Sequence, residues 1–558
     1  MRVRTLLRSD LPALAQRFGA DLLSLDVDKD FGLVATHGPF EAEEMVGGGR
    51  FRPIETGPDG VSRAEFVITV AEDWKRRGVG TALLEQLAAQ ASRLGIERFE
   101  SEVGPSNPLM MELLTHIGFD VQAESLGGVL RAWFPVRLTE AARRAMDARA
   151  SLAAARSMKA MFEPRSVAIL GASRRPATIG GALLRNLRDG FKGEIYPVNA
   201  AGGEIDGLRA YRSVAEIGRP IDLGLIALPA PAVEGAIRDC AEAGANSVVV
   251  ISAGFAEVGP AGQAEQERLR DLVRRSGMRM VGPNCMGILN TDPSVSLNAT
   301  FSPIAVPVGN VALLSQSGAL GVAILDHARA LHLGLSSFVS VGNKADVSGN
   351  DLLAYWKDDP RTDVIALYLE SFGNPRRFAR LAPEVARKKP IVAVKSGRTA
   401  AGTRAASSHS ASLACLDVGV DALFEQAGVI RTNTLEDLFD VAALLATQPS
   451  PAGPRVGVVT NAGGPGILLA DACEAEGLIL PELTPPSVSE LRSFLPEAAR
   501  LKNPIDMIAS ATAAQYERAV EVVGADPNVD SVVVIFVPPL TTTAAEIAEG
   551  VARAAAKV

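Results

Sequence analysis

The sequence predicts an α/β protein of several domains, most of them parallel sheets with helices packed on their faces. The first observation behind this is a recurring unit, a short apolar strand that ends in a small-residue turn and opens a helix. It occurs at Ser166–Leu170 before Gly171-Ala172-Ser173, at residues 309–314 before Ser315-Gln316-Ser317-Gly318, and at Val456–Thr460 before Asn461-Ala462-Gly463-Gly464. The second is size and composition. A chain of 558 residues with 47% hydrophobic and 22% charged residues fits several well-cored globular domains. The third is a Pro-rich linker, residues 448–454, that separates the last unit from those before it.

Composition also excludes functions. The 56 basic and 64 acidic residues leave a net charge of −8, which argues against bulk nucleic-acid binding. Cys240, Cys285, Cys415 and Cys473 lie far apart with no metal-ligand spacing, so no metal site is expected and the thiols read as reduced. The N-terminus lacks the apolar core of a signal peptide, and no apolar run approaches the roughly 20 residues of a membrane span. A soluble, cytoplasmic protein without membrane partners is the expectation.

Residues 1–137 form the first expected domain. Residues 3–7 read as a strand, Asp10 as the cap of a helix over 11–20, and 31–36 and 49–55 as further strands. The strand 64–70 ends at Trp74. Lys75-Arg76-Arg77-Gly78-Val79-Gly80-Thr81 then leads into a helix over 82–93, with Leu83, Leu84, Leu87 and Ala91 at helical spacing. A basic, glycine-containing loop at a helix start suits a pyrophosphate, because the backbone approaches closely and free N–H groups point at the anion. An ordinary strand–turn–helix connection has the same appearance. The strand Arg98–Val103, Asn107, a helix over 108–117 and the turn Gly118-Phe119 follow.

With these residues in place the segment resembles the GNAT acyltransferases, whose acyl-CoA loop reads Gln/Arg-x-x-Gly-x-Gly/Ala and whose last helix ends in Gly-Phe. Lys75 stands in the Gln/Arg slot; Gly78 and Gly80 match. The resemblance implies acyl-CoA contacts at Arg76, Arg77, Gly78, Val79, Gly80, Thr81 and Asn107. It also implies Glu65 as the general base that takes a proton from the acceptor amine. A solvent-facing strand residue is the plain alternative for Glu65. Many family members carry a tyrosine acid where this chain has Leu114.

Residues 138–160, rich in Ala and Arg and free of Gly and Pro, read as a helical linker. Residues 161–292 form the second expected domain, a strand–Gly turn–helix unit for a phosphate-bearing cofactor. The acidic residue expected about 20 residues on in an NAD site is not evident, which weakens a dinucleotide reading. Leu228-Pro229, Ser252-Ala253-Gly254 and Gly282-Pro283-Asn284-Cys285 fall at strand ends, where open sheets bind ligands. The whole unit resembles the CoA-binding Rossmann domain of succinyl-CoA synthetase and the NDP-forming acyl-CoA synthetases. That implies CoA contacts at Gly171, Ala172, Ser173, Arg174, Pro229, Ser252, Ala253 and Gly254, with Asn284 and Cys285 nearby; a small apolar filler is the other reading of Cys285.

Residues 293–448 and 455–558 resemble the two flavodoxin-like ligase domains of the same synthetases. Their phosphorylated histidine lies in Ser-His-Thr-Gly, and His409 of Ser408-His409-Ser410-Ala411 matches it. Read from its residues alone, this stretch also fits an exposed histidine beside a Ser-rich helix cap. By analogy Glu370 orients the imidazole. Ala411 and Cys415 depart from the family's loop. The chain stops at Val558, before the last α/β unit would be complete and too early for an ATP-grasp domain, so ATP use is not expected without a separate ATP-grasp subunit.

A GNAT module ahead of a synthetase-like region resembles the bacterial protein-lysine acetyltransferases that modify acyl-CoA synthetases. The first functional expectation is therefore an acetyl-CoA-dependent lysine N-acetyltransferase acting on such a protein, with a regulatory acyl-CoA-binding region. The alternatives are a component of an ADP-forming acetate–CoA ligase using phosphorylated His409 with an ATP-grasp partner, and a non-catalytic CoA sensor. Oligomeric state, a homo-oligomer included, stays open.

Overall fold

The structure is a computed structural model that describes residues 2–7, 10–18, 30–37, 43–56, 59–104, 107–126, 129–398, 417–539 and 543–558. The chain forms two compact units, Met1–Ala446 and Thr447–Val558.

The first unit begins with β1 (Arg2–Thr5), α1 (Leu11–Phe18), β2 (Phe31–His37), β3 (Glu44–Ile54), β4 (Arg63–Val70), α2 (Val79–Arg93), β5 (Arg98–Val103), α3 (Pro108–His116), β6 (Gln122–Leu126) and β7 (Val129–Pro135). The sheet order is β1-β2-β3-β4-β5-β7-β6. Its strands are antiparallel except β4 and β5, which run parallel and pair only from Arg63/Arg98 to Glu65/Glu100. Beyond Glu65 the two strands part. Along β4 the side chains alternate. Ala64 and Phe66 are fully buried in a core with Phe51, Phe99, Phe134 and the apolar face of α2, while Glu65 lies on the opposite face.

A long helix, α4 (Glu140–Phe162), joins this domain to the next. The Thr139 hydroxyl accepts the Ala142 N–H at 3.0 Å and donates to Gly118 O at 2.9 Å, fixing the entry of the helix against the Gly-Phe turn. Farther along, Arg149 pairs with Glu85 of α2, and Phe162 stacks on Tyr355 with ring centroids 5.2 Å apart. Sequence read this segment as a linker. The structure makes it a packed strut whose Ala154, Met158, Met161 and Phe162 join the core beyond it.

The second sheet is parallel, in the order β14-β13-β12-β8-β9. Its elements are β8 (Ser166–Leu170), α5 (Ile179–Arg188), β9 (Glu194–Val198), the hairpin β10 (Gly203–Ile205) and β11 (Leu208–Ala210), β12 (Leu223–Ile226), α6 (Ala230–Glu242), β13 (Ser247–Val250), α7 (Pro260–Arg275) and β14 (Arg279–Val281). Buried on both faces, these strands are continuous apolar runs rather than alternating ones.

The third sheet runs β16-β15-β18-β17-β19-β20-β21. It contains β15 (Gly287–Asn290), β16 (Leu297–Thr300), β17 (Val308–Ser315), α8 (Gly318–Ala330), β18 (Leu335–Ser340), α9 (Gly349–Trp356), β19 (Val364–Leu369), α10 (Pro375–Ala386), β20 (Ile391–Lys395), α11 (Asp417–Ala427), β21 (Val429–Thr432) and α12 (Leu435–Thr447). The hairpin β15–β16 pairs antiparallel with β18, so this sheet reaches back across the 292/293 division drawn from sequence. The remaining strands are parallel.

The second unit holds β22 (Val456–Thr460), α13 (Gly463–Ala475), α14 (Pro485–Phe494), β23 (Ile505–Asp506), α15 (Ala513–Gly524), β24 (Ser531–Ile535) and α16 (Ala544–Ala555), with a parallel sheet ordered β23-β22-β24. Among the described residues no helix is long and apolar enough to cross a membrane.

Close backbone approach fixes the start of the second domain. Gly171 has φ +97°, and a Cβ there would lie 2.4 Å from Ala227 O; a Cβ on Gly180 would lie 1.9 Å from Gly171 O. Gly180→Ala should therefore cost about 2–3 kcal/mol in thermal or denaturant unfolding. Gly235→Ala on α6, where nothing lies within 4 Å, should be neutral or stabilising by up to about 1 kcal/mol.

Candidate functional sites

The first candidate site lies at the end of β4. Gly78 is the N-cap of α2 with φ 83°, a left-handed conformation that glycine adopts without strain. The first backbone bond of the helix runs from Ala82 N to Gly78 O, so the N–H groups of Val79, Gly80 and Thr81 have no partner within it. Arg76, also at positive φ (60°), places its guanidinium 3.8 Å from Glu112 of α3. Arg77 lies over the Trp74 ring at 5.0 Å. Lys75 pairs with Glu72. Asn107 caps α3 by accepting the Met110 N–H at 3.2 Å. A cavity of about 880 Å³ runs between these parts, lined by Thr69, Lys75, Arg76, Gly78 and Asn107 and by the α3 face bearing Leu113. It is large enough for the pantetheine and pyrophosphate of CoA. Gly78, Gly80 and Thr81 of the loop and helix start, and residues 68–70 of β4, contribute to its lining.

Glu65 stands three residues upstream of this lining, at the last paired position before β4 and β5 part. Among the described residues its carboxylate makes no hydrogen bond or ion pair. The acids around it are engaged: Glu100 pairs with Arg131 at 2.6 Å and Arg63 at 3.3 Å, and Asp30 with Arg52 at 2.7 Å. Glu65 thus has no described partner, beside neighbours Glu100 and Asp30 that do. Leu114, at the family's tyrosine position, is fully buried and offers no acid.

The second candidate site gathers the strand ends of the second sheet. Ser173 Oγ accepts the Arg175 N–H at 3.1 Å. Arg174 donates to Gly202 O at 2.7 Å and Glu204 O at 3.0 Å, which ties the turn after β8 to the β10–β11 hairpin. Pro229 is the N-cap of α6. Ser252 Oγ donates to Leu228 O at 2.5 Å, Ala253 is exposed, and the Gly254 N–H donates to Glu257 Oε1 at 2.5 Å. Asn284 adopts φ 56° and donates to Asn343 Oδ1 at 3.4 Å. Among these residues the Cys285 thiol turns away into the core. It is 3% exposed, lies 3.2 Å from Val250 O, and is pushed up to about 12 by burial. The thiol therefore packs inward as a small apolar filler rather than facing a ligand.

A third cluster sits at the strand ends of the third sheet. Gln316 Oε1 accepts the N–H groups of Glu370 at 2.7 Å and Ser371 at 2.8 Å, while its Nε2 donates to Ser371 O at 2.6 Å. Lys344 Nζ also donates to Ser371 O, at 3.0 Å. Burial, with Lys395 nearby, pushes Lys344 down to about 8 against the pull of Glu370. Of these residues only Glu370 was expected at a site from sequence; Gln316 and Lys344 were not. A lysine directly after a Gly-Asn strand-end turn was the available signal. His409 lies outside the described residues, so its relation to Glu370 is not described. Among the described residues no group of three or more His, Cys, Asp or Glu is placed to hold a metal ion.

Lys344 gives a pH prediction. Between pH 8 and 10.5 the unfolded chain holds a proton that the folded lysine has released, so stability rises with pH across that window. Lys344→Met should lack this rise. In urea unfolding of the larger unit at pH 7.5 and 10, the wild type should gain on the variant by an amount on the order of 2 kcal/mol.

Comparison with known proteins assigns each region. Residues 2–119 match the acetyltransferase (GNAT) family, 165–291 a CoA binding domain, 308–445 the succinyl-CoA ligase like flavodoxin domain, and 456–558 the Ligase-CoA domain. The chain is 44% identical over 399 residues to the acetate–CoA ligase [ADP-forming] II subunit alpha of Pyrococcus furiosus, covering 71% of this chain and 86% of that protein. It is 41% identical over 405 residues to the corresponding I subunit alpha, again covering 71% and 86%. Among solved structures, the dinucleotide forming acetyl-coenzyme A synthetase 1 of Ca. Korarchaeum cryptofilum, in complex with phosphate and ADP, is similar at 38% identity. Its TM-score is 0.68 and the match covers 72% of this chain and 86% of that one. CoA and acetyl-CoA are thus the cofactors these domains are built for. ATP binding would need an ATP-grasp partner. The chain belongs to the family of ADP-forming acetate–CoA ligase alpha subunits, with a GNAT domain ahead of the ligase region.

Proposed function

We propose that residues 161–558 work as the CoA- and acyl-handling component of an ADP-forming acyl-CoA ligase. The observation that carries this reading is identity of 44% to an alpha subunit of such a ligase, sustained over 399 residues. Gly171–Arg174, Pro229 and Ser252–Gly254 would hold CoA. His409 would carry the phosphoryl group between nucleotide and acyl phosphate, with Glu370 as its positioning residue. The glutamate suits that role because Gln316 clamps its backbone at the end of β19. Nucleotide would come from an ATP-grasp subunit, as the family resemblance implies. The test is CoA-, acetate- and ATP-dependent formation of acetyl-CoA by the full chain mixed with a candidate ATP-grasp subunit, with acid-labile phosphate measured on the chain. His409→Ala should abolish both signals while CoA binding persists. Turnover by the His409→Ala protein at the wild-type rate would refute the phosphohistidine role.

A second reading concerns the N-terminal domain, and the unpaired Glu65 beside the acyl-CoA cavity favours it. There the chain would transfer an acyl group from CoA to a protein lysine, an acyl-CoA synthetase being the acceptor the resemblance suggests. Glu65 would take the ammonium proton, directly or through water, so that the free amine attacks the thioester carbonyl. The Gly78–Thr81 amides and Arg77 would hold the pyrophosphate. With Leu114 in the tyrosine position, the thiolate would leave unassisted or be protonated by water. Thiol release from acetyl-CoA in the presence of a lysine-bearing synthetase should fall about 100-fold or more in Glu65→Gln, with acetyl-CoA affinity unchanged. Equal rates in variant and wild type would remove Glu65 from the chemistry. A pure CoA sensor predicts binding with neither turnover.

A further inference from the structure

Three strand ends of the third sheet meet at Ser371. β17 lies between β18 and β19 and runs parallel to both, so the residues that follow these strands fall on one edge, where open α/β sheets place their ligands. Gln316, just past β17, accepts the Ser371 N–H and donates to Ser371 O. Lys344, on the turn after β18, takes hold of the same residue. Its ammonium donates to Ser371 O at 3.0 Å and to the Ser371 hydroxyl. Glu370, one residue earlier, is the carboxylate that attracts this ammonium.

The turn that carries Lys344 fixes its direction. Lys344 has φ 55°, a left-handed conformation uncommon for a lysine and imposed here by backbone contacts. The Asn343 N–H donates to Pro283 O at 2.9 Å and the Ala345 N–H to Gly282 O at 3.1 Å. Gly342 packs so closely that a Cβ on it would lie 2.4 Å from Pro283 O. The lysine thus projects from a turn pinned to the segment after β14 and reaches the end of β19. Burial opposes a charge there, Lys395 at the end of β20 opposes it further, and Glu370 favours it. On the other side of Lys344 lie Arg274, Arg279, Asp346, Asp351 and Arg377, with Asp346 bonded to the first two and Asp351 to Arg377. An apolar side chain of the same length would avoid the cost of the charge. A cation kept at that cost, on a strained residue beside a strand-end carboxylate, marks a group that serves function rather than stability.

We propose that Lys344 is a positioning residue for phosphoryl transfer, holding Glu370 through Ser371 for its work on the His409 imidazole. This rests on the ligase reading of residues 161–558. The ammonium has three protons to give, and two bonds go to Ser371. Loss of a proton leaves a neutral amine, with weaker bonds to Ser371 and no charge to attract Glu370. The charged form is therefore the working one. Because burial pushes Lys344 down to about 8, turnover falls as pH rises through that value.

Two measurements test this. The first is acetyl-CoA formation from acetate, CoA and ATP by the full chain with a candidate ATP-grasp subunit, followed from about pH 6.5 to 9.5. At neutral pH Lys344→Met should lower kcat about tenfold or more with KM for CoA unchanged. Lys344→Arg should recover part of kcat and lose the fall near pH 8, because a guanidinium stays charged. The second is hydrogen exchange at the Glu370 and Ser371 amides of the full chain alone, both of which donate to Gln316. In Lys344→Met these two should exchange about tenfold faster or more, while β19 and β20 keep their protection. If wild type makes no acetyl-CoA, the ligase reading fails and exchange alone decides: faster exchange upholds the grip on Glu370, and unchanged exchange overturns it. If wild type turns over, equal kcat in Lys344→Met, or a fall near pH 8 of the same size in wild type and Lys344→Arg, overturns the proposal.

Discussion

One hydrogen-bonded network holds the second and third sheets in register, and the candidate CoA and ligase residues depend on it. Its centre is Asn343. The amide donates to Glu257 Oε2 at 2.6 Å and Gln266 Oε1 at 2.9 Å, and its oxygen accepts from Asn284. Glu257 in turn accepts the N–H groups of Gly254 and Phe255. Burial works to raise this carboxyl, but the Asn343 amide and those N–H groups hold it below its usual range. The next residue, Lys344, reaches Ser371. A path of direct bonds therefore runs from the Gly254 turn to the strand end that bears Glu370. Each polar group in it is met by another part of the path, which is the condition under which a buried polar network specifies one arrangement.

The acyltransferase domain is attached by different means. Its junction with α4 is backbone packing at Gly118 against Ala142, then the Arg149–Glu85 pair on α2. Burial raises the Glu85 carboxyl although Arg149 opposes the shift, so the pair is formed where desolvation offsets much of the attraction. The other face of α4 carries Asp147, 2.6 Å from Arg380 of α10, and its C-terminal end inserts Phe162 into the core of the ligase region. The helix that opens the acyl-CoA loop is thus two salt bridges and one helix away from the third sheet.

Much of this was legible in the sequence because it is local. Arg98–Val103 is a strand to the residue expected, and the helix after the basic loop follows its apolar spacing, beginning at Val79 rather than Ala82 because Gly78 already serves as the cap. What was not legible is what other elements impose. The strand was expected over 49–55, yet β3 starts at Glu44, since Gly47 and Gly49 let α2 press on the sheet: a Cβ on Gly49 would lie 2.9 Å from Leu87 Cδ1. Asp10 was read as a helix cap. Its carboxylate bonds Arg4 and the Leu7 N–H instead, a choice made by the neighbouring strand. The family resemblance placed Cys285 near a ligand, and the direction of its thiol was decided by β13. The roles of Gln316 and Asn343 come from partners 54 to 86 residues away, which no local pattern encodes.

The two readings of the chain draw on separate residues. Glu65 and the Gly78 loop belong to the first sheet, and the CoA turns and Glu370 to the second and third, so neither chemistry occupies the other's groups. Each half also departs from its family's motif: a buried leucine stands at the tyrosine position of the acyltransferases, and Ser410-Ala411 stands for Thr-Gly beside His409. The departures differ in kind. Loss of the tyrosine removes a proton donor that water can replace in an open groove. Ala411 adds a Cβ where a phosphorylated loop is expected to need close approach, and nothing from solvent can substitute for missing space. On that ground the proposed acyl transfer has lost less of what it requires than the proposed phosphoryl transfer has. The matched families place CoA-handling domains in both halves of the chain, and the proposed phosphoryl transfer is the step most exposed to the changes in its loop.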